Sequence, residues 1–154
     1  MTAGAPKIVW RAAVKGDVAQ VVGLLTDDAL GATREGDDAD VYRAAFEAMQ
    51  AEGNNHLVVG VNAAGQVLAT YQITFISGLS LRASRRAQIE SVRVAAAVRG
   101  QGIGALLMRD AEDRARAAGC RLLQLTTNKS RTRAQSFYSG LGFTASHIGY
   151  KRDL

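Results

Sequence analysis

Three glycines at alternate positions, inside the run Val98–Ala105 (VRGQGIGA), constrain the fold of this chain more than any other feature. The run follows a β-rich segment that ends near Val94 and precedes an amphipathic helical pattern that extends to Ala118. Glycine permits a sharp turn and a close approach of the backbone to a ligand. The first amides of a helix lack internal partners and carry partial positive charge. The order strand, glycine loop and helix start therefore predicts a phosphate-binding seat, with a plain tight turn as the alternative.

The length and composition predict one α/β domain covering residues 1–154. A chain of 154 residues is long enough for a single core. Its apolar content of 47% and charged content of 21% are those of an ordinary globular protein. No apolar run approaches the ~18 residues that a membrane span requires, and the N-terminal pattern is not that of a secretory signal. We therefore expect no membrane partner and a cytoplasmic location.

The charge pattern favours an anionic small ligand over nucleic acid. Nineteen Lys and Arg against fourteen Asp and Glu give a net charge of +5. The basic residues are dispersed, with few aromatic residues among them, so we expect no nucleic-acid partner. The single cysteine, Cys120, is expected to be a structural thiol rather than a nucleophile. The two histidines lack metal-ligand spacing, so we expect no metal.

The apolar periodicity predicts the element order β-α-α-β-β-β-α-β-α-β in a mixed sheet. The six expected strands are Lys7–Val14, His56–Val61, Gln66–Ile76, Arg85–Val94, Arg121–Thr127 and Phe143–Lys151. The four expected helices begin near Asp17, near Ala39, near Ile103, and at Ser130 or Thr132. The second and third strands should form an antiparallel hairpin around a turn at residues 62–65.

The glycine run also matches the dinucleotide fingerprint G-x-G-x-x-G/A through Gly100, Gly102 and Ala105. In a dinucleotide fold, this turn follows the first strand, and an acidic residue about twenty positions later binds the ribose. Here the run comes late in the chain, and the strand Arg121–Thr127 ends without a carboxylate. Dinucleotide binding is therefore not favoured.

A second motif lies at residues 134–143, AQSFYSGLGF. Together with the run from Arg99 to Ala105, it resembles the GNAT superfamily of acyl-CoA-dependent N-acetyltransferases. Sequences of that family carry Q/R-x-x-G-x-G/A after a central strand, and A-x-x-F-Y with a following G-F about thirty to forty residues later. The resemblance covers about Gln88 to Phe143, and it implies a GNAT fold with splayed central strands.

This resemblance implies acetyl-CoA as co-substrate. The amides of the glycine loop would bind its pyrophosphate, and the main chain of Val92–Val94 would pair with the pantetheine arm. The sequence departs from the family pattern at two positions, which affects the local contacts to coenzyme A. Ala96 replaces a frequent proline, and Arg131 replaces a frequent asparagine, with Asn128 one turn earlier. The implied cofactor-binding residues are Val92, Arg93, Val94, Arg99, Gly100, Gln101, Gly102, Ile103, Gly104, Ala105, Asn128 and Arg131.

Two residues are candidates for proton transfer. Tyr138 resembles the family's donor to the departing thiolate; the alternative is an aromatic residue packed in the core. Glu90 interrupts an apolar strand and is a candidate base, because a charge there needs a wet cleft. The alternative for Glu90 is an exposed carboxylate paired with Arg93 or Arg86. We expect a main-chain N–H near Val92 or Val94 to stabilise the carbonyl oxygen.

The sequence thus predicts an N-acetyltransferase that moves an acetyl group from acetyl-CoA directly to a primary amine in a ternary complex. The alternative is a non-catalytic coenzyme A-binding regulatory module on the same fold. We expect the acceptor, an amine-bearing small molecule or peptide, to bind at the Leu30–Asp38 loop, the second helix and the Ser77–Ser84 loop. The identity of the acceptor and the formation of a homodimer stay open.

Overall fold

The computed structural model describes residues 4–154 and contains two units, one ending at Gln124 and one running from Leu125 to Leu154. Its strands are β1 (Val9–Ala12), β2 (Asn55–Val61), β3 (Val67–Ile76), β4 (Arg86–Val94) and β5 (Leu122–Leu125). Its helices are α1 (Val18–Thr26), α2 (Gly31–Arg34), α3 (Ala39–Glu52), α4 (Ser80–Ala83), α5 (Ile103–Ala117) and α6 (Thr132–Gly140). The predicted α/β fold class is confirmed.

The five strands lie in the order β1-β2-β3-β4-β5, and the pairs β1–β2, β2–β3 and β3–β4 are antiparallel. β5 follows β4 through helix α5. The amide of Arg121 donates to the carbonyl of Arg85 at 2.8 Å, and Gln124 Nε2 donates to Gln88 Oε1 at 2.7 Å. Because the partner numbers rise together, β4 and β5 run parallel, as a helical crossover requires. The sheet is therefore mixed, as predicted; splaying of these two strands stays a prediction.

Each face of the sheet carries its own core, because successive strand residues point to opposite faces. On one face, strands β2 and β3 pack against α1 and α3 through Ala13, Val21, Phe46, Val59, Val61 and Val67. On the other face, α5 packs against β3 and β4, and the large buried side chains include Tyr71, Ile73, Ile89, Ile103, Leu107 and Met108. The face that carries α1 and α3 is the one on which the candidate site opens.

The predicted final strand, Phe143–Lys151, is wrong. The structure has no strand in residues 143–154. Ile148 and Tyr150, whose alternation favours a strand, are 80% and 90% exposed. β-branched and aromatic residues stabilise a strand by packing against cross-strand neighbours, so the same pattern does not form one without them.

Two predicted loops each contain a single helical turn. Helix α2 lies inside the predicted Leu30–Asp38 loop and begins at Gly31, where a Cβ atom would lie 1.8 Å from the carbonyl oxygen of Leu25. Turn α4 lies inside the predicted Ser77–Ser84 loop, and its residues Leu81 and Arg82 have left-handed φ values of 53° and 58°. Such short turns carry too few residues for periodicity to reveal them.

Candidate functional site

The predicted strand, glycine loop and helix are all present. Strand β4 ends at Val94, a 3-10 turn covers Ala96–Val98, and α5 begins at Ile103. Gly100 and Gly102 have φ values of +76° and +80°, in the left-handed region that disfavours side chains. A Cβ atom on either glycine would meet nothing within 4 Å. The left-handed backbone, rather than crowding by neighbouring atoms, therefore requires glycine at these positions. The space beside the loop is open to a ligand.

The start of helix α5 is not capped by a side chain. The N-cap residue, Gly102, makes no side-chain bond, and the bond from the Leu106 amide to the Gly102 carbonyl, at 3.2 Å, closes the first turn. The amides of the first turn have no partners inside the helix, and the helix dipole adds partial positive charge there. An open loop with uncapped amides is the kind of site that binds a phosphate group.

Arg99 bridges three segments around this loop. Its Nε donates to the carbonyl of Val94 at 3.0 Å, and its Nη2 donates to the carbonyl of Asp27 at 3.3 Å. The same Nη2 lies 3.6 Å from the carboxylate of Asp27, with both side chains about half exposed. Arg99 therefore ties the loop to the end of β4 and to the end of α1.

Strand β4 is irregular where acyl chemistry is expected. The register against β3 shifts between Thr70 and Gln72, so that Ser91 and Val92 lie opposite one residue of β3. Ser91 has a left-handed φ of 54°. Such a bulge interrupts the ladder of backbone hydrogen bonds and re-aims the groups beside it, and bulges are over-represented next to active sites. The sequence gives no signal for this bulge, because a serine rather than a glycine occupies it.

Glu90 lies directly before the bulge and opposite Gln72. Its side chain is exposed to solvent. Among residues 4–154, no ion pair joins Glu90 to an arginine. The expected alternative partner, Arg93, instead forms an ion pair with Asp28, with 3.1 Å between Nε and Oδ2. Glu90 is therefore a solvent-accessible carboxylate beside the irregular part of β4.

The main chain of Val92–Val94 is held by arginine side chains. Arg93 Nη1 donates to the carbonyl of Val92 at 2.8 Å, and the carbonyl of Val94 accepts the bond from Arg99. The side chain of Arg93 is only 10% exposed. These contacts fix the end of β4 in place.

The second unit contains the other predicted site residues. Asn128 Oδ1 accepts hydrogen bonds from the amide and hydroxyl of Ser130 at 2.9 and 2.7 Å, and the Asn128 carbonyl accepts from the amide of Arg131 at 2.9 Å. Asn128 thus stabilises the turn before α6. Tyr138 lies on α6 and is half-buried, and its ring meets the ring of Phe143 edge-on at 5.8 Å.

An open apolar cavity of about 100 Å³ lies in the first unit, on the α1 and α3 face of the sheet. Its lining residues are Val18, Val21, Val22, Leu25, Tyr42, Ala45, Phe46, Met49, Leu57, Thr70, Gln72 and Ser91. None of these described lining residues is cationic. Because Ser91 belongs to the bulge, the cavity reaches the irregular part of β4. Periodicity could not reveal it, since the lining side chains come from five separate elements.

The structure gives no support to a cysteine nucleophile or to a metal site in its described part. Burial raises the pKa of the Cys120 thiol, which disfavours the thiolate that a nucleophile requires. Within the described part of the chain, no three His, Cys, Asp or Glu side chains form a group able to hold a metal ion. The helices of that part are also too short or too polar to cross a membrane.

Known proteins resemble this chain over most of its length. Residues 21–143 match the model of the acetyltransferase (GNAT) family. A solved structure of a transcriptional regulator from Bacillus halodurans C-125 has a TM-score of 0.91 and 42% identity, and the match covers 96% of this chain and 100% of that one.

Two curated relatives are N-acetyltransferases. Aminoalkylphosphonate N-acetyltransferase of Salmonella typhimurium is 39% identical over 67 residues, which is 44% of either chain. Glucosamine 6-phosphate N-acetyltransferase 1 of Oryza sativa subsp. japonica is 30% identical over 111 residues, 71% of this chain and 66% of that one. The matches therefore span less than two thirds of the length of these curated relatives. The family match over residues 21–143 contains both the glycine loop and the motif at residues 134–143, and the chain belongs to the acetyltransferase (GNAT) family.

Proposed function

We propose that this protein transfers the acetyl group of acetyl-CoA directly to a primary amine. The observation that carries the proposal is the open glycine loop, with left-handed Gly100 and Gly102, between a bulged strand and an uncapped helix start. Membership of the GNAT family supports the same reaction. The names of the curated relatives suggest an aminoalkylphosphonate or glucosamine 6-phosphate as acceptor.

The donor-binding residues follow from this proposal. The amides of Gln101–Ala105 would bind the pyrophosphate, and the main chain of Val92–Val94 would pair with the pantetheine arm. Asn128 and Arg131 would lie toward the 3′-phosphate. When bound, acetyl-CoA supplies an activated thioester carbonyl.

The reaction needs two proton transfers and one stabilised oxygen. An amide C–N bond forms and the thioester C–S bond breaks, while one proton leaves the amine and one reaches the sulfur. Glu90, exposed beside the bulge, would accept the first proton directly or through water. A main-chain N–H of β4 near Val92 or Val94 would stabilise the carbonyl oxygen. The phenol of Tyr138 would donate the second proton.

We further propose that residues 1–154 form one domain, that the protein is cytoplasmic and that it forms a homodimer. The family match from 21 to 143 crosses both units, which supports one domain. The exposed side chains of Ile148 and Tyr150 offer apolar surface to a second copy. Light scattering should give the mass of a dimer, and Ile148→Asp should shift that mass toward the monomer.

Two measurements test the reaction. Calorimetry should detect binding of acetyl-CoA and coenzyme A, but not of NAD. A panel of amines should then release free thiol from acetyl-CoA in the presence of the protein. An absence of acetyl-CoA binding at millimolar ligand would contradict the proposal. Binding without thiol release from any amine would favour the regulatory module instead.

A further inference from the structure

We infer that the acceptor is a primary amine with an apolar alkyl or arylalkyl body, bound in the cavity between α1, α3 and strands β2–β4. This inference rests on the proposed function, and it specifies the acceptor class. It departs from the acceptors that the names of the curated relatives suggest, because both of those carry an anionic phosphorus group.

The cavity lies where an amine would meet the reactive part of β4. Its floor includes Phe46 and Thr70, which are 5% and 0% exposed, and its wall reaches Ser91 in the bulge. Gln72 also lines it and lies opposite Glu90 in the β3–β4 register. Side chains directly opposite in an antiparallel pair lie roughly 5 Å apart on one face. An amine whose body fills the cavity therefore brings its nitrogen toward Glu90.

Three of the four polar side chains that line the cavity are already bonded within the protein, and the fourth is the side chain of Ser91. Thr70 Oγ1 donates to the carbonyl of Val58 at 2.9 Å, and Gln72 Nε2 donates to Asn55 Oδ1 at 2.8 Å. The hydroxyl of Tyr42 donates to Glu35 Oε2 at 2.7 Å. A phosphate or phosphonate loses its hydration on entry and needs charged or hydrogen-bond donors in return. The hydroxyls of Thr70 and Tyr42 and one N–H of Gln72 are therefore not available as donors to such a group.

The charges around the cavity also favour an ammonium over a phosphate. Glu35 is bonded to the lining residue Tyr42, and Glu90 lies opposite the lining residue Gln72. Arg93 lies opposite Thr70, but its guanidinium is nearly buried and forms an ion pair with Asp28. Two carboxylates at the edge attract an ammonium and repel a phosphorus dianion.

A matched pair of acceptors tests the inference. 2-Phenylethylamine and 2-aminoethylphosphonate share the aminoethyl group and differ only in the group that would enter the cavity. We expect kcat/KM for thiol release to be at least about tenfold higher with 2-phenylethylamine, because a phenyl ring gains from apolar burial and a phosphonate does not.

A matched pair of variants tests whether the acceptor binds in this cavity. Ala45 lines the cavity and Ala44 does not, and both are exposed on α3, so a lysine is tolerated structurally at either position. We expect Ala45→Lys to lower the preference for 2-phenylethylamine at least about fivefold, and Ala44→Lys to leave it unchanged within about twofold. Circular dichroism should show that both variants are folded.

The outcomes separate the inference from the proposed function. Thiol release that is equal or faster with 2-aminoethylphosphonate overturns the inference and leaves the proposed function standing. Equal effects of the two lysine variants overturn the assignment to this cavity. No thiol release with any amine overturns the proposed function, and the inference with it.

Discussion

The glycine loop and the apolar cavity are built in opposite ways. The loop is one continuous stretch, from Arg99 to Ala105, whose binding groups are main-chain amides placed by left-handed Gly100 and Gly102. The cavity is lined by side chains drawn from between residues 18 and 91, and three of its four polar side chains are bonded within the protein. The difference indicates a division of labour. Under the proposed function, the loop would provide contacts that any acyl-CoA can use, whereas the cavity would select the amine by shape and polarity.

The largest expected effect is on kcat, the rate of the chemical step, rather than on binding in the glycine loop or in the cavity. Tyr138→Phe removes the proposed proton donor and should lower kcat about 10²-fold, within the range of general acid catalysis. The Kd for acetyl-CoA and the KM for the amine should change little. Tyr150→Phe, at a tyrosine that is 90% exposed, is the matched control and should leave kcat unchanged. Unaltered turnover of Tyr138→Phe over the full pH range would contradict the assignment.

The second-largest effect should be on the Kd for acetyl-CoA, through a variant in the glycine loop. Gly102 and Gly119 lie at the two ends of α5, with φ values of +80° and +78° and no atom within 4 Å of an added Cβ. Valine at either position should destabilise the fold by about 1–2 kcal/mol, since a β-branched residue avoids positive φ. Only Gly102→Val should raise the Kd for acetyl-CoA, by at least about tenfold. Equal calorimetric affinities of the two variants would show that the loop is a plain turn.

A third effect should appear in the pH profile. Glu90→Gln removes the proposed base and should lower kcat/KM about tenfold, while the acidic limb of the pH–rate profile flattens. Glu112→Gln, on α5, removes a carboxylate that pairs with Arg116 at the surface and should have little effect. An unchanged acidic limb in Glu90→Gln would exclude this residue as the base.

The smallest effect on catalysis should come from Asp17, which directly precedes α1, one of the helices that line the cavity. Its buried carboxylate accepts bonds from Arg11 Nη1 and Nη2 at 2.6 and 3.0 Å and from the Val14 amide at 2.8 Å. The hydrogen bond from Arg11 is the main reason that the pKa of Asp17 is lowered. Asp17→Asn should reduce the free energy of unfolding by about 1–3 kcal/mol at neutral pH.

The pH dependence of that stability has a defined sign. A lowered pKa means that the contribution of Asp17 is complete above the ordinary carboxyl pKa of ~4 and is lost as pH falls through the folded-state value. The difference between the wild type and Asp17→Asn should therefore shrink in acid, as urea unfolding at several pH values would measure. A difference that grows on acidification would contradict the role of this ion pair.

The same contrast explains how much could be predicted from the sequence. The loop from Arg99 to Ala105 was predicted because glycine at a left-handed position leaves a local signal. The bulge at Ser91 left none, since the shift in register depends on how β3 and β4 pair. The cavity is assembled only when α1, α3 and three strands pack, so no spacing in the sequence marks it. Phe143–Lys151 shows the converse: a strand pattern without a strand.

Glu90 lies between these two cases. The sequence singled it out because a carboxylate interrupts an apolar strand, yet its side chain is exposed. The expected partner Arg93 pairs with Asp28, at the end of α1, far away in sequence. A local pattern identified an unusual residue, whereas its surroundings depended on tertiary contacts.

The most direct test of the account is an NMR titration that follows backbone amides and side-chain methyl groups together. Coenzyme A should shift the amide signals of Gly100–Ala105, while 2-phenylethylamine should shift the methyl signals of Val21, Val22 and Leu25. The account predicts two separate sets of signals, one in the loop and one in the cavity. Loop amides that do not respond to coenzyme A, or cavity methyl groups that do not respond to the amine, would contradict it.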